Sequence, residues 1–164
     1  MRFSRDVAAT FATRVLMVGL GVASSVLTAR ALGPGGRGIL ATLGALSGIG
    51  LQLGNLGLHA SNTYQVSRDR SLLAPLWGNS RRTSWALGIS LALVTVALAW
   101  AVPPVLGEIR FSLLLVSAAC IPFQLLFLLG LNLVVGLGRI PLFNLLEVTF
   151  RGIGVAALFV VLVL

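Results

Sequence analysis

Long apolar stretches alternate along this chain with short polar or Gly/Pro-rich gaps. A helix crosses the hydrocarbon of a bilayer with roughly 20 mainly apolar residues, and five segments reach that length: 7–31, 38–64, 83–102, 111–137 and 141–164. Arg14 interrupts the first, His59 lies in the second, and the third stops at Pro103-Pro104. Pro122 marks a kink inside the fourth, and the fifth carries Glu147 and Arg151. No segment alternates apolar and polar positions as a membrane β-barrel strand does. The gaps at 32–37, 65–82, 103–110 and 138–141 leave no room for a soluble domain. The pattern predicts an all-α integral membrane protein with about five transmembrane helices.

Composition narrows the class further. Apolar residues make up 57% of 164 positions, and 10% are charged, against about 25% charged in soluble domains. Such a chain cannot cover itself with polar surface, and it is too hydrophobic to stay disordered. A single cysteine, Cys120, excludes a disulfide framework. The formal net charge of +8 comes from twelve arginines and no lysine. They lie mainly in the gaps rather than on one basic face, so they read as topology signals and not as a nucleic-acid surface. With the N terminus inside, Arg2, Arg5, Arg68, Arg70, Arg81, Arg82 and Arg139 face the cytoplasm, against Arg30, Arg37 and Arg110 outside. That bias predicts a cytoplasmic N terminus. A cleaved signal peptide is the rival reading of the first span, but Ala29-Arg30-Ala31 is a poor cleavage site.

Polar residues within the spans carry the functional question, because an ionisable group there costs about 2.5–3.5 kcal/mol on insertion scales. Thr10, Arg14, Met17, Gly21, Ser24 and Thr28 recur at steps of four and three and share one helical face. Arg14 is then either a grip for an anionic group such as phosphate or a cation snorkelling to the headgroups. In the second span Gly44, Gly48, Gln52, Asn55, His59 and Asn62 form another stripe, readable as a hydrophilic pathway or as a packing seam. In the fifth, Asn144, Glu147, Arg151 and Gly154 share a face, and the i, i+4 spacing predicts an internal Glu147–Arg151 ion pair. Ser117, Cys120, Gln124 and Asn132 make a weaker stripe in the fourth. The third span is almost purely apolar and is expected to face lipid. The substrate or cavity candidates are therefore Arg14, Gln52, Asn55, His59, Asn62, Glu147 and Arg151. No catalytic constellation, cofactor motif or metal-ligand spacing is present.

The link between the first two spans, Ala29-Arg30-Ala31-Leu32-Gly33-Pro34-Gly35-Gly36-Arg37-Gly38, resembles the Ala-Arg-x-Leu-Gly-Pro-x-Gly-Arg/Tyr-Gly signature of bacterial polysaccharide transporters. These are the oligosaccharide-lipid flippases of the MATE-like multidrug/oligosaccharidyl-lipid/polysaccharide exporter superfamily. Leu53-Gly54-Asn55-Leu56-Gly57-Leu58 is similar to a second, weaker stretch of that family. The motif positions are Arg30, Gly33, Pro34, Gly36, Arg37 and Gly38. The resemblance implies that residues 1–164 form most of the first lobe of a two-lobed bundle in the bacterial cytoplasmic membrane. It implies the flipping of undecaprenyl-diphosphate-linked repeat units by alternating access, driven by an H⁺ or Na⁺ gradient, beside polysaccharide polymerase and ligase machinery. Arg14 and Arg151 would be its cationic cavity residues.

Three alternatives stay open at this stage. A MATE-type multidrug exporter would present acids to the cavity, a scaffold or remnant would transport nothing, and a membrane glycosyltransferase would need a large outer loop. The unanchored apolar run Phe159–Leu164 is expected to continue, which makes the chain an N-terminal fragment.

Overall fold

The computed structural model describes residues 2–101 and 109–163. The expected stop at Pro103-Pro104 lies outside the described residues. These residues are helical, without strands: α1 (Arg2–Asn55), α2 (Leu58–Arg68), a 3₁₀ turn (Arg70–Leu72), α3 (Leu73–Ala101), α4 (Phe111–Gly136) and α5 (Ile140–Val163). Four helical stretches are long and apolar enough to cross a membrane: Ala9–Asn55, Arg70–Ala101, Phe111–Gly136 and Ile140–Val160. The chain is an all-α, multi-pass membrane protein.

The count is four rather than five because the first two predicted spans share the element α1. That element is not one rod. Gly33 breaks it with φ 64° and ψ −174°. Pro34 pushes the preceding residue out of the α region, and the φ/ψ pair it meets here is open essentially to glycine alone. Across the break, Arg37 Nη2 donates to Ser25 Oγ at 2.7 Å. An unbroken helix would separate twelve residues by about 18 Å, beyond the reach of these two side chains. The chain therefore bends sharply at Gly33. A Cβ on Gly36 would sit 2.8 Å from the Leu32 Cβ, so this bend also needs a hydrogen at position 36.

Two more boundaries differ from the sequence reading. The predicted span 38–64 is interrupted at Leu56 (φ 45°) and Gly57 (φ 76°), consecutive left-handed residues that end α1 and restart the chain as α2. The predicted gap 65–82 is mostly helical: α2 runs to Arg68, and α3 begins at Leu73 and carries Arg81 and Arg82. Asp69 Oδ1 accepts from the Ser71 N–H at 2.9 Å and holds the turn between them. Pro75 is tolerated because it sits in the first turn of α3.

The helices form two compact units. Ile39–Leu137 is one, and the residues up to Gly38 with those from Gly138 form the other. In the first of these, α4 is the core, burying Leu114, Ala118, Ile121, Leu125, Leu129 and Leu133. Gly50 faces Ile121, Gly54 faces Leu125, and Gly136 faces Thr63 and Val66, so α1 and then α2 run parallel to α4. The register continues through the break at Leu56–Gly57. Helix α3 runs antiparallel to α4, since Trp77 meets Gly130, Trp85 meets Phe123, Gly88 meets Pro122 and Trp100 meets Phe111. Ser80, Ser84 and Gly88 are buried at steps of four, so α3 presents a small-residue seam to its neighbours as well as an apolar face outward. This corrects the expectation of a purely lipid-facing third span. The side chains were small enough to be read as filler, yet they let α3 approach α4 to backbone contact.

Candidate functional site

The polar side chains of the second span are largely spent within the Ile39–Leu137 unit. Asn55 Nδ2 donates to His59 Nδ1 at 2.6 Å, and Asn55 Oδ1 accepts from the His59 N–H at 3.3 Å. That pair staples α2 to the end of α1 across the left-handed break. Buried Asn62 donates to Ser80 Oγ at 2.8 Å, joining α2 to α3. Thr63 Oγ1 donates to the Asn132 carbonyl at 3.0 Å, and Ser47 Oγ meets Ser117 Oγ at 2.8 Å. Gln52 is exposed, as are Gly44 and Cys120. The face that packs on α4 is Leu43, Ser47, Gly50 and Gly54, adjacent to the stripe read from the sequence. Asn55 and His59 therefore bind each other and Asn62 binds the neighbouring helix, and of these four candidates Gln52 alone is exposed.

The charged candidates Arg14, Glu147 and Arg151 lie in the other unit. There the predicted small-polar face of α1 meets α5 in parallel register. Asn144 Nδ2 donates to Thr10 Oγ1 at 3.2 Å, and Arg14 Nη1 donates to Glu147 Oε1 at 3.0 Å. Further along, a Cβ on Gly21 would lie 3.7 Å from Arg151 Nη2. Residue numbers rise together on both helices. This corrects the expected pairing: Glu147 is held by Arg14, 133 positions away, and not by Arg151 one turn on. The local i, i+4 partner loses because Arg151 turns toward Gly21, where the missing side chain leaves room for the guanidinium.

The Arg14–Glu147 pair is asymmetric, with 54% of the arginine side chain exposed and 20% of the glutamate. Two acceptor oxygens beside it are buried and have no partner among the described residues, Glu147 Oε2 and Asn144 Oδ1. Arg151 lines a cavity of about 270 Å³ with Ser24, Phe150, Gly154, Val155 and Leu158. Among the described residues no acid lies within ion-pair distance of it. Arg151 stands eleven residues into α5, about 16 Å from its start and so near the middle of a span. The motif residues Arg30 and Arg37 are exposed near the Gly33 bend, with Arg37 bonded to Ser25.

Sequence reasoning missed Ser24, Thr10 and Asn144 as members of this cluster, although all three lie on the stripes it drew. It missed the Ser80–Ser84–Gly88 seam altogether, although the four-residue spacing of small residues was there to read. A second cavity of about 320 Å³, between α3 and α4, is lined by apolar side chains including Trp85, Leu93 and Phe123. The chain matches no family model, no curated protein and no solved structure.

Proposed function

We propose that this chain is part of a membrane transporter that flips undecaprenyl-diphosphate-linked oligosaccharide repeat units across the bacterial cytoplasmic membrane. The observation that carries the reading is Arg151, a mid-span cation that has no acidic partner among the described residues and lines a cavity together with Ser24. A charged group at that depth is expensive unless it faces water, protein or a counter-ion. A guanidinium binds phosphate oxygens bidentately, and a serine hydroxyl beside it supplies one more donor. Arg14, by contrast, already has its charge answered by Glu147. The anion-binding role expected of both arginines falls first on Arg151.

The Gly33 bend supports the same reading, because the Leu-Gly-Pro-x-Gly signature coincides with a backbone geometry that is open essentially to glycine alone. The test is surface polysaccharide in cells that depend on the full-length protein. Arg151→Ala is expected to lower export at least tenfold at matched membrane abundance, with lipid-linked repeat units accumulating on the cytoplasmic side. Arg151→Lys retains part of the export. Unchanged export by Arg151→Ala at equal abundance refutes the assignment.

A further inference from the structure

The apolar cavity between α3 and α4 lies in the Ile39–Leu137 unit and has no part in the Arg151 site. It follows from how the two helices meet. Gly88 lets α3 reach the backbone of Pro122, and further along the contact passes to two large rings, Trp100 and Phe111, with centroids 6.5 Å apart. Between these points Ala92, Ala118 and Ala119 line the space, and their methyl groups are too small to fill it. Leu93, Leu115 and Phe123 stand exposed around them. The result is an open apolar trough of about 320 Å³.

Its place along the span limits what can fill it. On α3 the lining runs from Trp85 to Val96, eleven residues or about 16 Å of helix. One leaflet supplies about 15 Å of a hydrocarbon core about 30 Å thick, so the trough is as long as one acyl chain reaches. Arg81 and Arg82 stand at one end, about a turn before Trp85, and no charged residue follows them on α3 up to Ala101. Arg81 precedes Trp85 by four residues and Arg82 precedes Ile89 by seven, so both fall on the helical face that lines the trough. Both are exposed, and among the described residues no acid lies within ion-pair distance of either. Arg68 and Arg70 lie in the preceding connection, where Asp69 is the only acid among the described residues of this unit.

We propose that the trough seats one acyl chain of an anionic glycerophospholipid from the leaflet on the Arg81–Arg82 side, with the lipid phosphate held by those two guanidiniums. The chain gives the alanine methyls the carbon contacts that an unfilled space denies them. The phosphate oxygens accept paired N–H bonds from arginine. A zwitterionic lipid brings the same phosphate, but its ammonium offsets the charge that the arginines answer. A polyprenyl chain is longer than the trough and carries a methyl branch on each unit. A second copy of this chain seated on the same face would bring Arg81 and Arg82 out of water without a counter-charge.

Trp85 lines the trough and reports on its occupant by fluorescence. The full chain carrying Trp77→Phe/Trp100→Phe, which leaves Trp85 as its one tryptophan, is placed in phosphatidylcholine vesicles, and brominated lipid is added to quench the indole. Brominated phosphatidylglycerol is expected to quench at a membrane fraction about tenfold lower than brominated phosphatidylcholine, as two basic groups near the surface imply. Arg81→Gln/Arg82→Gln is expected to bring that preference below about twofold. Ala119→Phe keeps both arginines but fills the trough, and it is expected to remove the preference as well; Ala92→Phe does the same from the facing helix should Ala119→Phe fail to fold. Equal quenching by the two lipids overturns the anionic headgroup. A preference that survives the double arginine substitution overturns the phosphate contact, and one that survives both phenylalanine variants overturns the seat for the chain. Unbrominated polyprenyl phosphate that relieves the quenching at a lower fraction than unbrominated phosphatidylglycerol overturns the phospholipid as occupant. No quenching by either lipid overturns the trough as a lipid site.

Discussion

The closest approach in the Ile39–Leu137 unit gives the sharpest stability test. At Gly88 an added Cβ would lie 2.5 Å from the Pro122 Cα, 2.6 Å from its Cβ and 3.0 Å from its nitrogen. Two of those three atoms are backbone, so a rotamer change cannot relieve the contact and α3 must move away from α4. Gly88→Ala has two opposed effects. Alanine gains about 1 kcal/mol over glycine in a helix interior, while forcing an extra carbon into a packed seam costs about 1–3 kcal/mol. Moving α3 also uncovers Ser84 and loosens contacts around Ile121 and Leu125, so the loss falls toward the upper end and the net destabilisation is about 1–2 kcal/mol. The same substitution at Gly44, where nothing lies within 4 Å, keeps the propensity gain alone and is expected to stabilise by up to about 1 kcal/mol. Reversible unfolding in mixed detergent micelles, followed by far-UV circular dichroism, measures both variants against wild type. A Gly88→Ala protein at least as stable as Gly44→Ala would refute the packing argument.

Other outcomes follow from the same physics. Gly33→Ala has open space around its side chain but must hold φ 64°, so thermal unfolding should show a loss of about 1–3 kcal/mol, whereas Gly35→Ala should be near neutral. Ser80 and Ser84, one turn apart, are expected to respond with opposite signs. Ser80→Ala strands the Asn62 amide and costs about 1–3 kcal/mol; Ser84→Ala removes a buried hydroxyl without a partner and raises stability in the same unfolding assay. Asp69, outside the spans, has its pKa lowered by side-chain and backbone hydrogen bonds to Ser71. Its contribution to the α2–α3 turn is thus complete above the ordinary Asp pKa and is lost as pH falls through the lowered one. Hydrogen exchange at the Ser71 amide should accelerate over that acidic range, and Asp69→Asn should remove the dependence.

How much of this was legible in the sequence depends on how far apart the partners lie. The Gly33 break could be read from Leu-Gly-Pro-Gly-Gly, because proline and glycine act on their immediate neighbours. The α4 helix could be read almost to the residue, since Phe111 to Gly136 carries no charged residue, is mostly apolar and ends at a Gly-rich turn. The break at Leu56 could not, because nothing in a leucine announces a positive φ; the geometry is imposed by α2 resuming its register along α4. The Arg14–Glu147 pair was hidden for the opposite reason. A plausible partner stood four residues from Glu147, and only the packing of α1 on α5 shows that Gly21 draws Arg151 away. Spacing names the face of a helix but not the helix that will meet it.

The length of chain between the two partners has a consequence in time. Helix α1 is made before α5, and the pair that joins them is separated by 133 residues. At about 5–20 residues per second, Arg14 is polymerised about 7–27 s before Glu147. The Ile39–Leu137 unit is contiguous in sequence and is polymerised entirely within that interval, ahead of Glu147. Arg14 must meanwhile lean on lipid phosphates near the start of its helix. When α5 emerges, Glu147 takes over the guanidinium that the headgroups had held, so one and the same cation is answered first by lipid and then by protein.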